Sequence, residues 1–134
     1  MVFELAGPGG AALTVPVKVN GAGPFPFVLD TGATVTCVDD SLVRELSLPE
    51  ARGTVAFGGT VSGFGRMRLI HLESISVGNA TVGGLQGCAV DLAPMRKAGL
   101  AVRGLLGLNF IREYRVTIDF PDRAVRFEAP EGKR

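Results

Sequence analysis

The chain has 134 residues, a length that suits one domain and leaves little room for two. Its 14 basic and 13 acidic residues nearly balance, so charge gives no reason to expect a nucleic acid or an anionic membrane as partner. No apolar run approaches the roughly 18 residues of a membrane span, and no signal-peptide pattern marks the start. We expect one domain over residues 1–134, in the cytoplasm or in a compartment that the sequence leaves unknown.

The first predicted elements are two strands joined by a tight turn. LTVPVKV (13–19) alternates in hydrophobicity, and Pro16 within it favours an edge position because proline has no N–H to donate to a neighbouring strand. Asn20-Gly21 predicts a hairpin turn into PFPFVLD (24–30). This second strand is largely apolar, yet it ends on a carboxylate.

A third strand and a helix follow. TVTCV (34–38) predicts the strand, and Asp39-Asp40-Ser41 supplies capping residues for the start of a helix. The run LVREL (42–46) after them has helical spacing, and Pro49 closes it off. The helix is therefore predicted to be short.

The middle of the chain predicts a long hairpin. Two strand-like arms within residues 51–72 flank a tip that contains Gly58, Gly59, Gly63 and Gly65. Glycine at this density indicates a mobile tip, a bulge, or a place where another backbone comes close. ESISVG and ATVGGLQGCAVDL, which occupy most of residues 73–92, predict two more strands.

The last third predicts helical turns and a final hairpin. PMRKAGL (94–100) fits a loop or one helical turn, and RGLLGLNFIREY (103–114) fits a buried run followed by a short amphipathic helix. RVTIDF and RAVRFE are predicted to pair around a type I turn at Pro121-Asp122. The chain is therefore predicted to be mainly β, with many short strands in a closed or barrel-like sheet and two short helices.

The cysteines and the histidine do not form a recognisable metal site. Cys37, Cys88 and His71 lack the spacing and the number of ligands that zinc needs. The favoured interpretation of the two cysteines is a pair of small buried apolar residues, and a disulfide between them stays open as an alternative. His71 lies between two apolar residues of a predicted strand, where a surface or structural role is expected.

The stretch FVLDTGAT (27–34) is the strongest candidate for chemistry. A buried carboxylate is unfavourable unless it is paired or protonated, so Asp30 is either exposed or functional. As a structural residue it would cap a turn before Thr31 and Gly32. As a functional residue it would be held by the apolar strand before it, with Gly32 allowing a sharp turn and a close backbone approach.

Acid–base catalysis by carboxylates works best with two of them. Like charges about 3 Å apart cannot both ionise, so one carboxyl stays protonated while the other activates a water, as in aspartic proteases generally. No other aspartate of the chain is followed by a small residue and a glycine; those considered are Asp39, Asp40, Asp91, Asp119 and Asp122. The partner of Asp30 is therefore predicted to be Asp30 of a second copy, across a two-fold axis.

FVLDTGAT resembles the active-site stretch of the retropepsin-like aspartic proteases, and GLLGLNFI (104–111) resembles the apolar-apolar-Gly motif and short helix of that family. The order of elements is similar along nearly the whole chain, and small bacterial members are the most similar. The resemblance implies a single-lobed acid protease fold, closed like a barrel and carrying a flap hairpin. It also implies a homodimeric aspartic endopeptidase that acts on peptides or proteins without a metal or an organic cofactor.

The resemblance also implies roles for individual residues. Asp30 would be the catalytic aspartate. The residues supporting its loop would be Thr31, Gly32, Ala33, Leu105, Leu106 and Gly107, with Thr31 gripping the partner's loop. The flap over the substrate would be formed by Phe57, Gly58, Gly59 and Thr60. FEL (3–5) and VRF (125–127) would interleave with a second copy, by pattern alone.

Two functional hypotheses follow from these observations. The first is an active endopeptidase with a bell-shaped pH dependence and an acid-side optimum, as expected of a shared-proton dyad. The second is a dimeric peptide-binding or dimerisation module of the same fold that hydrolyses little or nothing. Asn109 stands where many bacterial relatives carry an acidic residue, and the resemblance assigns it no role.

Overall fold

The computed structural model describes residues 1–54 and 67–131, with residues 51–54 described through their backbone alone. The strands within these ranges are β1 (Glu4–Ala6), β2 (Ala12–Val19), β3 (Ala22–Leu29), β4 (Cys37–Asp39), β5 (Glu50–Thr54), β6 (Arg68–Val77), β7 (Ala80–Val90), β8 (Gly104–Leu106), β9 (Arg115–Asp119) and β10 (Ala124–Glu128). The α-helices are α1 (Asp40–Glu45), α2 (Ala93–Lys97) and α3 (Leu108–Ile111), and a 3-10 turn spans Pro8–Gly10.

Six of the strands form a closed barrel. The strands β2, β3, β8, β4, β7 and β6 are neighbours in that order. The ring closes because Lys18 and Val19 of β2 pair with Ser76 and Ile75 of β6. Strands β1 and β5 extend the sheet at its two ends, and β9 with β10 forms a separate hairpin. The prediction of a mainly β, barrel-like fold is confirmed.

The hairpin of β2 and β3 forms as predicted, but Pro16 is not on an edge strand. Strand β2 pairs with β3 on one side and with both β1 and β6 on the other. Pro16 lies opposite Pro26 of β3. On its other side it falls between the residues that pair with β1, which end at Thr14, and those that pair with β6, which begin at Lys18. The missing N–H therefore leaves no ladder bond broken, so an interior strand tolerates the proline.

Strand β6 is longer than predicted. The second arm of the predicted hairpin and the segment ESISV form one continuous strand of 10 residues, Arg68–Val77. It pairs with β7 along nearly its whole length and with β5 at its start. The buried positions change phase at Glu73 and Ser74, but the pairing with β7 keeps the same register on both sides of them, so no turn separates the two segments.

The helices are short and locally capped. The predicted cap is confirmed, because Asp39 precedes α1 and its side chain accepts a hydrogen bond from the Ser41 N–H. The segment left open as a loop or one helical turn forms α2, which makes a third α-helix beside the two predicted. No helix within the described ranges is long and apolar enough to cross a membrane.

The apolar side chains form two adjoining clusters. The larger fills the barrel and includes the fully buried Phe27, Phe110 and Leu106. The smaller lies beside it and contains Cys37, Met67, Cys88, Val90, Leu92, Val102 and Leu105. Because β3 and β8 contribute to these clusters up to their last residues, the ends of both strands are held firmly by packing.

The two cysteines form a disulfide, which corrects the favoured interpretation of two unpaired apolar residues. Cys37 and Cys88 are directly opposite each other on the parallel strands β4 and β7, with their Cα atoms 4.4 Å apart. That distance lies within the range that a disulfide spans. Both residues are buried as predicted, and the bond links segments separated by 51 positions in sequence.

A buried carboxylate next to this disulfide connects two helices. Asp39 is 1% exposed, and its Oδ1 accepts a 2.8 Å hydrogen bond from the Leu92 N–H at the start of α2. Its Oδ2 accepts hydrogen bonds from the Ser41 N–H and hydroxyl. A guanidinium nitrogen of Arg96 lies 2.9 Å from the same oxygen, without hydrogen-bond alignment, so this contact is electrostatic. Burial raises the pKa of Asp39, but these hydrogen bonds and Arg96 outweigh burial and hold the pKa below its ordinary value.

We expect Asp39→Asn to lower the free energy of unfolding at neutral pH by about 3 kcal/mol, because it leaves Arg96 facing an amide. A depressed native pKa contributes stability above the unfolded value of 3.8, and that contribution is lost as the pH falls through the lower native pKa. The difference between variant and wild type should therefore shrink in strong acid. Urea unfolding at neutral and acidic pH measures it. The control is Asp91→Asn, since Asp91 is an exposed cap of the Ala93 N–H. Equal effects of the two variants would contradict the assignment.

Candidate active site

Asp30 lies immediately after β3, at the start of the loop that leads to β4. Its side chain is half-buried, and Thr31 and Gly32 at the tip of the loop are exposed. The apolar run before Asp30 enters the barrel core at Phe27 and comes out to the surface at Asp30. The carboxylate is therefore held at the end of a packed strand while it remains accessible from outside the chain.

The backbone of β8 and the residues after it support this loop from beneath. Val28 and Leu29 pair in parallel with Leu105 and Leu106, and the Asp30 N–H extends the ladder by donating to the Leu106 carbonyl at 3.0 Å. Beyond the tip, Ala33 is buried and its carbonyl accepts a 2.8 Å hydrogen bond from the N–H of Leu108. The structure thus brings Asp30, Ala33 and Leu106 together.

Neighbouring atoms exclude a side chain at Gly107 and leave little room for one at Gly32. A Cβ on Gly107 would lie 2.5 Å from the carbonyl carbon and oxygen of Val35, so a side chain there would displace the loop backbone. A Cβ on Gly32 would lie 3.1 Å from the Asp30 carboxylate, whose Oδ1 accepts a 2.9 Å hydrogen bond from the Gly32 N–H. The Gly32 backbone therefore lies close to the Asp30 carboxylate.

The other aspartates considered as partners for Asp30 make contacts elsewhere. Asp39 is bound between two helices, and Asp40 forms a 2.7 Å ion pair with Arg68. Asp91 caps the start of α2, and Asp119 accepts a hydrogen bond from the N–H of Asp122 in the final turn. Within the described ranges, the contact recorded for the Asp30 carboxylate is with its own loop.

The predicted flap and the predicted grip of Thr31 both involve more than the described residues of one chain. The flap residues Phe57, Gly58, Gly59 and Thr60 lie outside the described residues. Thr31 is exposed in the single chain. The loop that it is predicted to grip would belong to a second copy. Their roles stay predictions.

A hydrogen-bonded pair that the sequence did not predict, Thr36 with Asn109, lies at the end of the same loop. Thr36 is fully buried just before β4, and Asn109 lies in α3. The Asn109 side chain accepts hydrogen bonds from both the N–H and the hydroxyl of Thr36, each at 2.9 Å. In the sequence, the signal for this pair is the position of Asn109, two residues after the glycine of the LLG motif.

Nothing in the described part of the chain indicates a resident metal. No group of three or more histidine, cysteine, aspartate or glutamate side chains is gathered there in an arrangement that could hold an ion. His71 is exposed on β6, as one of the predicted alternatives has it. The polar groups of the loop itself are the Asp30 carboxylate, backbone amides and threonine hydroxyls.

A model of a protein family described as aspartyl protease matches residues 15–110. This match spans most of the chain and includes both the Asp30 loop and the LLG segment that supports it. The chain belongs to the aspartyl protease family. The resemblance inferred from FVLDTGAT and GLLGLNFI is thereby confirmed at the level of the family.

Solved structures with retropepsin-like folds are similar to this aspartyl protease family member. A retropepsin-like aspartic protease from Rickettsia conorii matches with a TM-score of 0.56 and 18% identity, over 86% of this chain and 81% of that chain. The retroviral protease-like domain of Ddi1 from Leishmania major matches with a TM-score of 0.53 and 14% identity, over 90% and 96%. At these identities the likeness concerns the fold. No curated protein sequence matches significantly.

Proposed function

We propose that the protein is an aspartic endopeptidase that works as a homodimer, with Asp30 of each protomer contributing one carboxylate to a shared site. The observation that carries the proposal is the placement of Asp30. The Asp30 N–H is held by the Leu106 carbonyl, and the Asp30 side chain is half-exposed. Its carboxylate accepts a hydrogen bond from the Gly32 N–H of its own loop. A second carboxylate is supplied most simply by symmetry, because a two-fold axis brings identical residues face to face.

The dyad would hydrolyse a peptide bond by acid–base catalysis. The ionised Asp30 takes a proton from a water held between the two carboxyls, and the water oxygen attacks the peptide carbonyl carbon. The protonated Asp30 donates its proton to the carbonyl oxygen. The tetrahedral intermediate then collapses with cleavage of the C–N bond, and a proton passes to the leaving amine. Every step uses the two carboxyls and water.

Surface features support association with a second copy. The exposed large apolar side chains of the described residues lie on β1, β9 and the segments next to them, at the two ends of the chain; they are Val2, Leu5, Ile118 and Phe120. The outer edge of β1 is also an end of the described sheet. Exposed apolar side chains and an open strand edge both favour association. The interleaving of FEL (3–5) and VRF (125–127) with a second copy stays a prediction.

The test is cleavage of a diverse peptide pool by the wild type across pH and protein concentration. A dimeric enzyme below its dissociation constant gains activity more steeply than in proportion to protein concentration, and becomes linear above it. We expect this behaviour together with an acid-side optimum. If the protein dimerises and binds peptides but cleaves none at any pH, the proposal fails and the binding-module hypothesis replaces it.

A further inference from the structure

We propose that the disulfide between Cys37 and Cys88 is a redox switch for the Asp30 site, which holds β4 in the barrel when it is formed and lets β4 open when it is reduced. The inference rests on the proposed function, because the loop that ends at β4 carries the proposed catalytic carboxylate. It adds a condition for activity, namely the oxidation state of two cysteines that take no part in the hydrolysis.

Strand β4 joins two parts of the barrel. Its neighbours are β8 and β7, so it stands between the part formed by β2, β3 and β8 and the part formed by β6 and β7. Within the described ranges, the other strand pairing that joins these parts is that of β2 with β6. If β4 leaves, the barrel opens into a sheet in which the other strands keep their remaining partners.

Few backbone pairs hold β4 in this position. The strand has three residues, Cys37–Asp39, which pair with three residues of β7 and with two of β8. Its pairing with β7 is parallel, a form that is slightly less stable per residue than the antiparallel one. By comparison, β6 and β7 pair in antiparallel fashion along nearly their whole length. An additional link at β4 therefore has a large effect on how often this strand opens.

The disulfide supplies such a link at the point where β4 meets β7. Cys37 and Cys88 lie opposite each other there, and the Cys88 N–H donates a 2.9 Å hydrogen bond to the Thr36 carbonyl. While the disulfide is formed, β4 can move away from β7 only as far as the two linked side chains reach. Because Cys37 directly follows the Asp30 loop, an opening of β4 also releases the far end of that loop.

Other contacts of this region remain after reduction. The Thr36 N–H still donates to Asn109, and the Asp39 carboxylate still accepts a hydrogen bond from the Leu92 N–H. These contacts favour the closed position of β4 in either oxidation state. We therefore expect reduction to make the opening more frequent and to impair the site, while the rest of the barrel stays folded.

The reductant that the switch requires is a dithiol. A thiolate of the dithiol attacks one sulfur of the disulfide and forms a mixed disulfide, and the other cysteine leaves as a thiolate and takes up a proton. The second thiol of the reductant then displaces the first cysteine. Both cysteines become thiols and the reductant becomes a disulfide, with transfer of two electrons and two protons. Because Cys37 and Cys88 are buried in the closed barrel, the attack itself requires β4 to open.

The test compares oxidised and reduced wild type in peptide cleavage and amide exchange, at one pH and without denaturant. We expect reduction by dithiothreitol to lower kcat/KM by about 10- to 100-fold, as a small misplacement of a reacting group does. The Asp39 N–H, which donates to the Arg103 carbonyl at 2.9 Å, should lose protection by about 10-fold or more. Amides of the hairpin of β6 and β7 should keep theirs. Reoxidation should restore both kcat/KM and protection.

Two variants serve as controls. Cys37→Ala with Cys88→Ala should match the reduced wild type and should not respond to the dithiol. Asn20→Ala lowers stability at the other junction of the barrel, because Asn20 accepts hydrogen bonds from the N–H groups of Glu73 and Ser74. Its left-handed backbone, with a φ of 50°, is also unfavourable for alanine. This variant keeps the disulfide, so we expect it to unfold more easily and yet to keep the kcat/KM of oxidised wild type.

The outcomes separate this inference from the proposed function. If the oxidised wild type cleaves no peptide, the proposed function fails, and amide exchange still decides whether reduction opens β4. If reduced wild type keeps its kcat/KM and the protection of Asp39, the inference is wrong. Equal loss of protection by all amides also overturns it, because the bond then stabilises the whole barrel. A disulfide that dithiothreitol does not reduce without denaturant overturns it as well.

Discussion

Asp30→Asn is expected to lower kcat by about 10⁴-fold, at the upper end of what acid–base groups contribute. An amide can neither take a proton from water nor supply one to the carbonyl oxygen, so both roles of the dyad are lost. Peptide binding and dimerisation should be retained, because the amide has the shape of the carboxyl and can still accept the hydrogen bond from the Gly32 N–H. Cleavage assays and equilibrium peptide binding on the same preparation measure the two effects separately.

Mixing the two proteins tests whether Asp30 acts in pairs. In an equimolar mixture at fixed total concentration, with dimers fully formed and subunits exchanging freely, about one quarter of the dimers contain two wild-type chains. If both carboxylates are required, activity falls to about a quarter of that of the wild type alone. A protein with one self-sufficient carboxylate per chain would retain about half. Retention of half the activity would contradict the shared dyad. Mixing the wild type with the matched variant Asp91→Asn should leave the activity unchanged.

Removing the disulfide is expected to lower the free energy of unfolding by about 4 kcal/mol. The estimate follows from the loss of chain entropy in the unfolded state, given that Cys37 and Cys88 are 51 positions apart. The double variant Cys37→Ala with Cys88→Ala should therefore unfold at a clearly lower urea concentration than the wild type. Urea titrations followed by circular dichroism measure the difference.

A thiol reductant provides the control for the disulfide. Reduced wild type should approach the stability of the double variant, whereas the double variant itself should be insensitive to the reductant. If the wild type unfolds at the same urea concentration with and without reductant, although free thiols appear, the bond does not contribute the expected stability. Since Cys37 directly follows Thr36, the reduced protein is also suited to detecting a loosened Asp30 loop.

The sequence was sufficient for those features of the fold that depend on local patterns. Asn20-Gly21 identifies the turn between β2 and β3, and Pro121-Asp122 identifies the one between β9 and β10, because turn chemistry is local. Asp39 is recognisable as a helix cap for the same reason. The family could be recognised because its two motifs are short, contiguous and each contain a glycine.

Features that depend on which strands become neighbours could not be derived from the sequence. Pairing Cys37 with Cys88 requires β4 and β7 to lie parallel and in register, and no local signal specifies this. The buried ion pair of Asp39 with Arg96 and the contact of Asn109 with Thr36 depend on the same barrel. The prediction of an edge position from Pro16 was wrong because it assumed one partner strand on each side of β2. On one side, β2 changes partner from β1 to β6 near the proline.

The parallel pairing of β3 with β8 also has a consequence for the order in which the chain can fold during synthesis. The strand that carries Asp30 is made early, but its partner at Gly104–Leu106 is made near the end of the matched domain. Synthesis adds roughly 5–20 residues per second, so several seconds pass between the synthesis of the Asp30 loop and that of β8, which supports it. A nascent chain that stops short of β8 therefore contains Asp30 without the backbone that supports its loop, so the supported form of the loop cannot exist until residues 104–106 have been made.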